Sequence, residues 1–508
     1  MDAINSLLAA FGTVLQPEYL LYAFVGALVG TAVGVLPGLG PSVTMALLLP
    51  VVFALGDPTG AIIMFAGIFY GAMYGGSTTS ILLSTPGESS SVVTVLDGYR
   101  MTKAGRGGAA LLSSAVGSFV AGIFATTALV FVAKPLGAIA ITFGPSEYVA
   151  FAVLALSTAA ILGGRPTKAA FSALLGLAIG TVGIHSLSGV TRFSFGVLAI
   201  YNGIDFELVT IGMFAIVEVL FVVGMYRSSG QIHGVKMVGK LLMTAREWRR
   251  SIGPWLRGSV LGFLVGVLPG AGATMSSYLS YGLERNISKT PEKFGRGKGM
   301  IEGLAGPEAA NNAAAGGALV PLLTLGIPGS AATAVMIGAL QGLGVKTGPL
   351  LLRDNPDFVW AIIASLFIGN VMLIILNVPL IRIWVKLLSV PTALLMPMIL
   401  VISTVGVFSL SRNTVDLALM LLFGFIGLVL RACDIPLAPL ILGLVLGPLI
   451  EEQSSRALTV SQGDWAVFLS EPTAVVVLVL AALILTLPLW RRIPGRIRER
   501  NSRREVLR

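Results

Sequence analysis

Two stretches of this chain place Pro and Gly inside very apolar surroundings. Residues 34–44 read GVLPGLGPSVT and residues 266–276 read GVLPGAGATMS, so the core GVLPGxG recurs 232 positions apart. Proline removes a backbone N–H and blocks the helix ladder, and glycine relaxes the chain further. Pro37 and Pro269 are therefore candidate helix breaks. A break leaves carbonyl oxygens at the end of one half-helix and free N–H groups at the start of the next. The N–H end favours an anion, and the carbonyl end suits a cation such as Na⁺. Gly38, Gly40, Gly270 and Gly272 would let a ligand approach the backbone. Ser42, Thr44, Thr274 and Ser276 fall on the first turn after each break, where a hydroxyl caps the turn or coordinates a ligand. The chemistry these residues suit is binding and release of an ion or a small anion. Close helix packing by small residues is the competing structural reading.

A second pair of motifs follows. LLSTPGESSSVVTV (82–95) resembles LTLGIPGSAATAV (323–335), with Pro86-Gly87 matching Pro328-Gly329 at an offset of 242. The stretch GGSTTSILLSTPGESSS (75–91) packs nine Ser and Thr and the carboxylate Glu88 into an apolar region. Ser77, Thr78, Thr79, Thr85, Gly87 and Glu88 are candidate binding groups there, with a helix cap or polar seam as the plainer reading. Thr85–Glu88 looks like the tip of a hairpin. Thr324, Gly329 and Ser330 hold the equivalent place in the second half. GPEAANNAAAGG (306–317) has no counterpart in the first half. Pro307 and Glu308 suit a helix N-terminus, with Asn311 and Asn312 one turn further in. Asn offers both a donor and an acceptor, so Glu308, Asn311 and Asn312 are candidates for ligand contact or for hydrogen bonds between helices.

The elements that position these groups follow from composition. Of 508 residues, 55% are hydrophobic and only 11% are charged, with mean hydropathy +0.90. A soluble domain carries about 25% charged residues, so the chain is a polytopic membrane protein. Apolar stretches at 108–133, 146–163, 169–187, 208–226, 357–385, 393–410, 414–430, 435–450 and 472–490 are near the ~20 residues a spanning helix needs. They lack the period-2 alternation of barrel strands. The expectation is an all-α membrane protein with about 10–14 membrane segments, broken helices and re-entrant hairpins. Its first transmembrane repeat covers 20–226 and its second 255–490. Inverted repeats are preferred to parallel ones, because broken helices at corresponding positions of inverted halves are a recurrent transporter design. A basic amphipathic connector (227–254) joins the halves along the interface.

The net charge of +10 is concentrated in Arg100–Arg106, Arg227–Arg257, Arg285–Lys298 and Arg491–Arg508. Basic flanks stay in the cytoplasm, which places the tail 491–508, and hence the C-terminus, inside. Topology explains these clusters, and no nucleic-acid partner is expected. MDAINSLLAAFGTVLQPEYL carries Asp2 where a secretory signal would carry Lys or Arg, and reads as a short amphipathic entry helix. Glu218, Asp416, Arg431 and Asp434 are further ionisable residues in apolar stretches, each a weaker functional candidate. Arg431 and Asp434, at i and i+3, suit a pair at a helix end. His185 reads as a satisfied imidazole and Glu302 as a marginal site candidate. One cysteine and two histidines, His185 and His233, leave no basis for a disulfide framework or a resident metal centre beyond a transported Na⁺. No G-x4-G-K-[ST], H-E-x-x-H or G-x-S-x-G is present. The chain is therefore not expected to be an enzyme or to carry a cofactor, and uphill transport would draw on an ion gradient or a partner.

The GxLPGxG elements, the STPG segment and the string EGLAGPEAANNAAAGGALVPLLTLGIPGS together resemble the large membrane subunit of the tripartite tricarboxylate transporters, the TctA family. The likeness runs from about residue 20 to 490. It implies a secondary transporter of the bacterial inner membrane that takes up citrate-like tricarboxylates or related carboxylates by symport with Na⁺ or H⁺. It also implies a small four-helix membrane subunit and a periplasmic solute-binding protein as partners. A passive carboxylate or anion channel is the alternative.

Overall fold

The computed structural model describes residues 2–36, 39–162, 165–185, 188–226, 242–387 and 392–486. Pro37, Gly38, most of the connector (227–241) and the basic tail lie outside these residues. The chain divides into two compact units, one comprising 1–142 and 204–433, the other 143–203 and 434–508. It is 80% helical.

The first unit opens with α1 (Asp2–Val14), α2 (Pro17–Gly34), α3 (Pro41–Leu55) and α4 (Pro58–Leu83). Proline begins α2, α3 and α4 because its missing N–H is one a helix start leaves unpaired. Asp57 caps α4, accepting from the N–H groups of Thr59 at 3.0 Å and Gly60 at 2.9 Å. Short helical turns between 89 and 103 lead into α5 (Gly107–Ala140). The second unit begins with α6 (Pro145–Leu162) and α7 (Pro166–Gly180). The apolar stretch predicted to continue to 187 instead stops at Gly180. The chain turns at Gly183, which has φ +108°, and Gly183–Ile184 pairs antiparallel with Thr191–Arg192. The first unit resumes with a helix over 206–226, α8, which loosens to a π-turn at Gly212–Ile216. Then follow α9 (Ala245–Gly266), α10 (Gly272–Ile287), α11 (Glu302–Leu325), α12 (Ala331–Gly342), α13 (Pro356–Asn377), α14 (Thr392–Ser411) and α15 (Thr414–Ala432). The second unit closes with α16 (Ala438–Val460) and α17 (Pro472–Thr486). Ala150 and Leu154 of α6 pack there with Ala474, Val477 and Ala481 of α17.

Among the described residues, six helices are long and apolar enough to cross a membrane, namely α2, α4, α5, α8, α13 and α15. α4 is almost wholly enclosed by protein, which explains how it carries so many hydroxyls.

Two helix pairs organise the first unit. Gly26, Gly30 and Gly34 of α2 lie against the backbone of Met64, Ile68 and Ala72 on α4, so a Cβ at Gly34 would stand 2.6 Å from the Ala72 carbonyl. Gly258, Gly262 and Gly266 of α9 lie in the same way against Gly306, Ala310 and Ala314 on α11. Gly75 reaches back to Thr31, and Gly317 to Phe263. Adding 232 to an α2 residue and 242 to its α4 partner converts the first set of contacts into the second. Small residues at four-residue spacing let backbones approach closely where lipid supplies no hydrophobic drive.

α4 and α11 run in opposite directions where they meet. Ser77 touches Glu308, while Tyr70, earlier on α4, faces Gly316, later on α11. α11 also begins earlier than expected. Its first residue is Glu302, so Pro307 and Glu308 sit in its second turn and not at its N-terminus. The chain before it is tied down by Asp97, which takes the Met300 N–H, and helical geometry starts directly afterwards.

Candidate functional site

Both GVLPGxG motifs interrupt helices. α2 ends at Gly34 and α3 starts at Pro41, and α9 ends at Gly266 and α10 starts at Gly272. The two breaks differ in backbone geometry. Gly270 and Gly272 adopt φ +77° and +64°, a region that disfavours side chains, whereas Gly40 has φ −75°. Past each break, equivalent hydroxyls do the same thing. Thr44 donates to the Gly40 carbonyl at 3.1 Å, and Ser276 to that of Gly272 at 3.3 Å.

The segment 84–91 joins the two breaks. The Cβ of Glu88 would be 3.8 Å from a Cβ at Gly40, in the first break. Next to it, the hydroxyls of Ser89 and Thr274, the latter just past the second break, are 3.0 Å apart. Gly87 is pressed so closely on Gly76 and the Gly34 carbonyl that a Cβ would stand 2.5 Å from Gly76 Cα. Pro86 and Gly87 thus bring Glu88 up to the helix interruptions.

Two carboxylates lie on either side of the asparagine pair. Asn311 Nδ2 donates to Glu88 at 3.1 Å, and Ser90 donates to the same Glu88 oxygen. Glu308, fully buried, accepts from three hydroxyls on three segments: Ser77 of α4, Thr94, and Ser114 of α5 at 2.8 Å. Asn312 donates to Ser118 of α5 at 2.7 Å and to the Glu308 carbonyl at 3.2 Å. The side-chain oxygens of Asn311 and Asn312 are buried and accept nothing among the described residues. No Lys, Arg or His pairs with Glu88 or Glu308 among them either. Among the described residues, every polar partner of the two carboxylates is a neutral donor.

Other candidates stand apart from this cluster. Thr79 is buried and donates to the Gly76 carbonyl of its own helix at 3.1 Å, and Thr78, the residue before it, is buried too. Thr85 is exposed and turns back to the Leu83 carbonyl at 3.5 Å. Thr324 is sixteen residues past Glu308 on α11, about 24 Å along the axis, and donates to Val320 O at 2.8 Å. Beyond it, Pro328 and Gly329 turn the chain, Gly329 rests on Ala318, and Ser330 caps α12 by accepting the Thr333 N–H at 3.3 Å. Ser42 is half-buried on the first turn of α3.

The secondary charges also resolve. Glu302 is held by Arg250 through two bonds of 2.6 and 2.7 Å, outside the cluster. The pair suggested for Arg431 and Asp434 does not form. Arg431 binds Glu218 at 2.5 Å, while Asp434, at φ +54° and so outside helical geometry, lies 3.6 Å from Arg165. His185 binds Ser188 at 2.7 Å and lies 3.5 Å from Glu451.

Sequence reasoning passed over Thr94, Ser114 and Ser118. The available signal was Ser114 and Ser118 at i and i+4 within an otherwise apolar helix. It also passed over Asp97, fully buried, which takes the Tyr281 hydroxyl at 3.1 Å and the N–H groups of Gly295 at 3.1 Å and Met300 at 2.8 Å. Burial raises its carboxyl above the ordinary range, and these donors oppose the shift.

Residues 20–442 match the tripartite tricarboxylate transporter TctA family. The chain is 45% identical, over 93% of its length and 94% of the relative's, to an uncharacterised 52.8 kDa protein in the TAR-I ttuC′ 3′ region of Agrobacterium vitis. It is also 45% identical, over 45% of its length and 93% of the relative's, to an uncharacterised protein in the TAR-II ttuC′ 3′ region of that organism. No solved structure matches it. The match over most of its length places this multi-pass membrane chain in the tripartite tricarboxylate transporter TctA family.

Proposed function

We propose that this chain is the large membrane subunit of a cation-coupled secondary transporter that imports citrate-like tricarboxylates or related carboxylates. The observation that carries the reading is a pair of buried carboxylates on either side of Asn311 and Asn312: Glu88, beside the first interruption and bound by Asn311, and Glu308, bound by three hydroxyls, with only neutral donors on both among the described residues. A buried carboxylate without a cation is costly as an anion. Glu308 is therefore the group that takes the coupling H⁺ or Na⁺. The idle oxygens of Asn311 and Asn312 are suited to the same cation. The substrate's carboxylates meet the free N–H groups at the starts of α3 and α10, with Thr274 and Ser89 beside them. Cation and anion then travel as a near-neutral set, which lowers the cost of crossing a low-dielectric path.

The preserved offsets of 232 and 242 in helix packing support two structural repeats, and the opposed directions of α4 and α11 support their inversion. The interruptions are read as re-entrant hairpins or broken helices that face the substrate path. Alternating access follows if these elements move against a scaffold of plain spans. A small membrane subunit and a periplasmic solute-binding protein complete the system in the inner membrane, with the C-terminus in the cytoplasm.

The test is uptake of labelled citrate into proteoliposomes containing the chain, its small subunit and its binding protein, under an imposed Na⁺ or H⁺ gradient. Accumulation that follows one cation gradient and vanishes in Glu308→Gln supports the reading. Flux that never exceeds equilibrium and ignores both gradients overturns coupling and favours a passive channel. Uptake of a different carboxylate with the same gradient dependence keeps the mechanism and changes the substrate.

A further inference from the structure

The first unit holds a polar cavity distinct from the carboxylate cluster. It is a cavity of about 620 Å³ between the N-terminal half of α9, the C-terminal end of α10 and the loop before α11. Two of its arginines are neutralised. Arg250 is bound by Glu302, and Arg257 by Glu284 through contacts of 2.9 and 2.7 Å. Four more cations line it, Arg246, Arg249, Lys289 and Lys293, all exposed and without a carboxylate partner among the described residues. The cavity thus keeps an excess of four positive charges.

Its surroundings point to the kind of anion. Val260 and Leu264 follow Arg257 by three and seven residues, which places them on the same helix face directly beyond the cavity. They are 47% and 62% exposed, and Leu256 beside them is 52% exposed. Ile287, 54% exposed, lies on the cavity rim from α10. On the opposite face of α9, Gly258, Gly262 and Gly266 are sealed against α11, so the apolar row is the outer surface of the helix. Trp248, at the cavity's level, is the amphipathic ring type enriched at membrane–water boundaries. A soluble phosphate would use the cations and leave the apolar row uncovered. An anionic phospholipid uses both.

We propose that this cavity binds the headgroup of an anionic phospholipid, with Arg246, Arg249, Lys289 and Lys293 on its phosphates and an acyl chain along Leu256, Val260 and Leu264. Four free cations match a lipid carrying two phosphates, so cardiolipin is the probe of choice. The bound lipid would brace α9 and α10, the two helices that flank the second interruption.

The experiment is native mass spectrometry of the full chain in detergent with equal amounts of cardiolipin and phosphatidylcholine. The wild type is expected to retain cardiolipin at least tenfold over phosphatidylcholine. Arg246→Gln/Arg249→Gln and Lys289→Gln/Lys293→Gln variants are expected to lose cardiolipin at least fivefold each, with phosphatidylcholine adducts unchanged as the check on folding. Lack of selectivity in the wild type overturns the proposal whether or not the variants fold. Equal cardiolipin retention by the variants overturns the residue assignment. Displacement of cardiolipin by millimolar glycerol phosphate shows a soluble-anion site and overturns the lipid; resistance to it supports the acyl contact.

Discussion

The Pro-Gly turns at 86–87 and 328–329 sit at matching places in the two halves of the motif series and rest on matching neighbours, Gly76 and Ala318. Their chemistry differs. After the first turn come Glu88, which reaches Asn311 and lies beside the first interruption, and Ser89, which reaches Thr274. After the second come Ser330 and Thr333, which satisfy each other in a capping box and serve only the start of α12. The helices before the turns also differ. Ser77 reaches a carboxylate on another helix besides the Met73 carbonyl of its own, whereas Thr324 donates to its own helix. A shared backbone design with chemistry in one copy means that the turn is a positioning device. What it positions depends on the few residues that follow.

This contrast breaks most sharply at Glu308. Glu308→Gln is expected to lower gradient-driven uptake about a hundredfold, equivalent to about 2.7 kcal/mol of lost stabilisation, while Thr324→Val leaves uptake within twofold. Parallel initial-rate measurements decide it, and a comparable loss in both variants would remove the distinction between the turns. Next in size is Glu88→Gln. It keeps the shape and removes the charge, and is expected to cost about tenfold in uptake, or about 1.4 kcal/mol; unchanged uptake would restrict the working site to Glu308. Backbone contact is the point on which the two turns should agree. Gly87→Ala and Gly329→Ala each force a Cβ into packed neighbours, and both are expected to lower the unfolding free energy by about 1–3 kcal/mol in thermal or denaturant melts. The larger loss is expected at Gly87, where the Cβ meets backbone at 2.5 Å, against 2.9 Å to a methyl at Gly329. Ser330→Ala should cost about 1 kcal/mol of stability as a lost N-cap, with transport by the folded fraction unchanged. The smallest effect belongs to Ser89 and Thr274. A double-mutant cycle to Ala is expected to give a coupling of about 0.5–1.5 kcal/mol, and zero coupling would separate the two interruptions.

Much of this was legible before folding. The breaks at both GVLPGxG motifs, the buried hydroxyls of 77–80 and the roles of Glu88, Asn311 and Asn312 as cluster members follow from polar residues forced into apolar sequence. The boundaries of α11 were not legible, because its start depends on Asp97, almost 200 positions upstream, taking the N–H groups of Gly295 and Met300. Nor was the two-residue ribbon after α7, where Thr181 and Val182 continue an apolar run that Gly183 ends. Ser114 and Ser118 could have been suspected from their spacing, but nothing local named Glu308 and Asn312 as their partners.

What the sequence determined by itself is the helical membrane class, the places where helices must stop, and the fact that hydroxyls, amides and carboxylates in those places need partners. These are local consequences of missing N–H groups, absent side chains and the cost of unpaired polar atoms in an apolar setting. Only the tertiary structure decided who the partners are. Ser77 meets Glu308 across 231 positions and Asn311 meets Glu88 across 223, because glycine-lined helices pack closely enough to bring α4, α5 and α11 around one buried carboxylate.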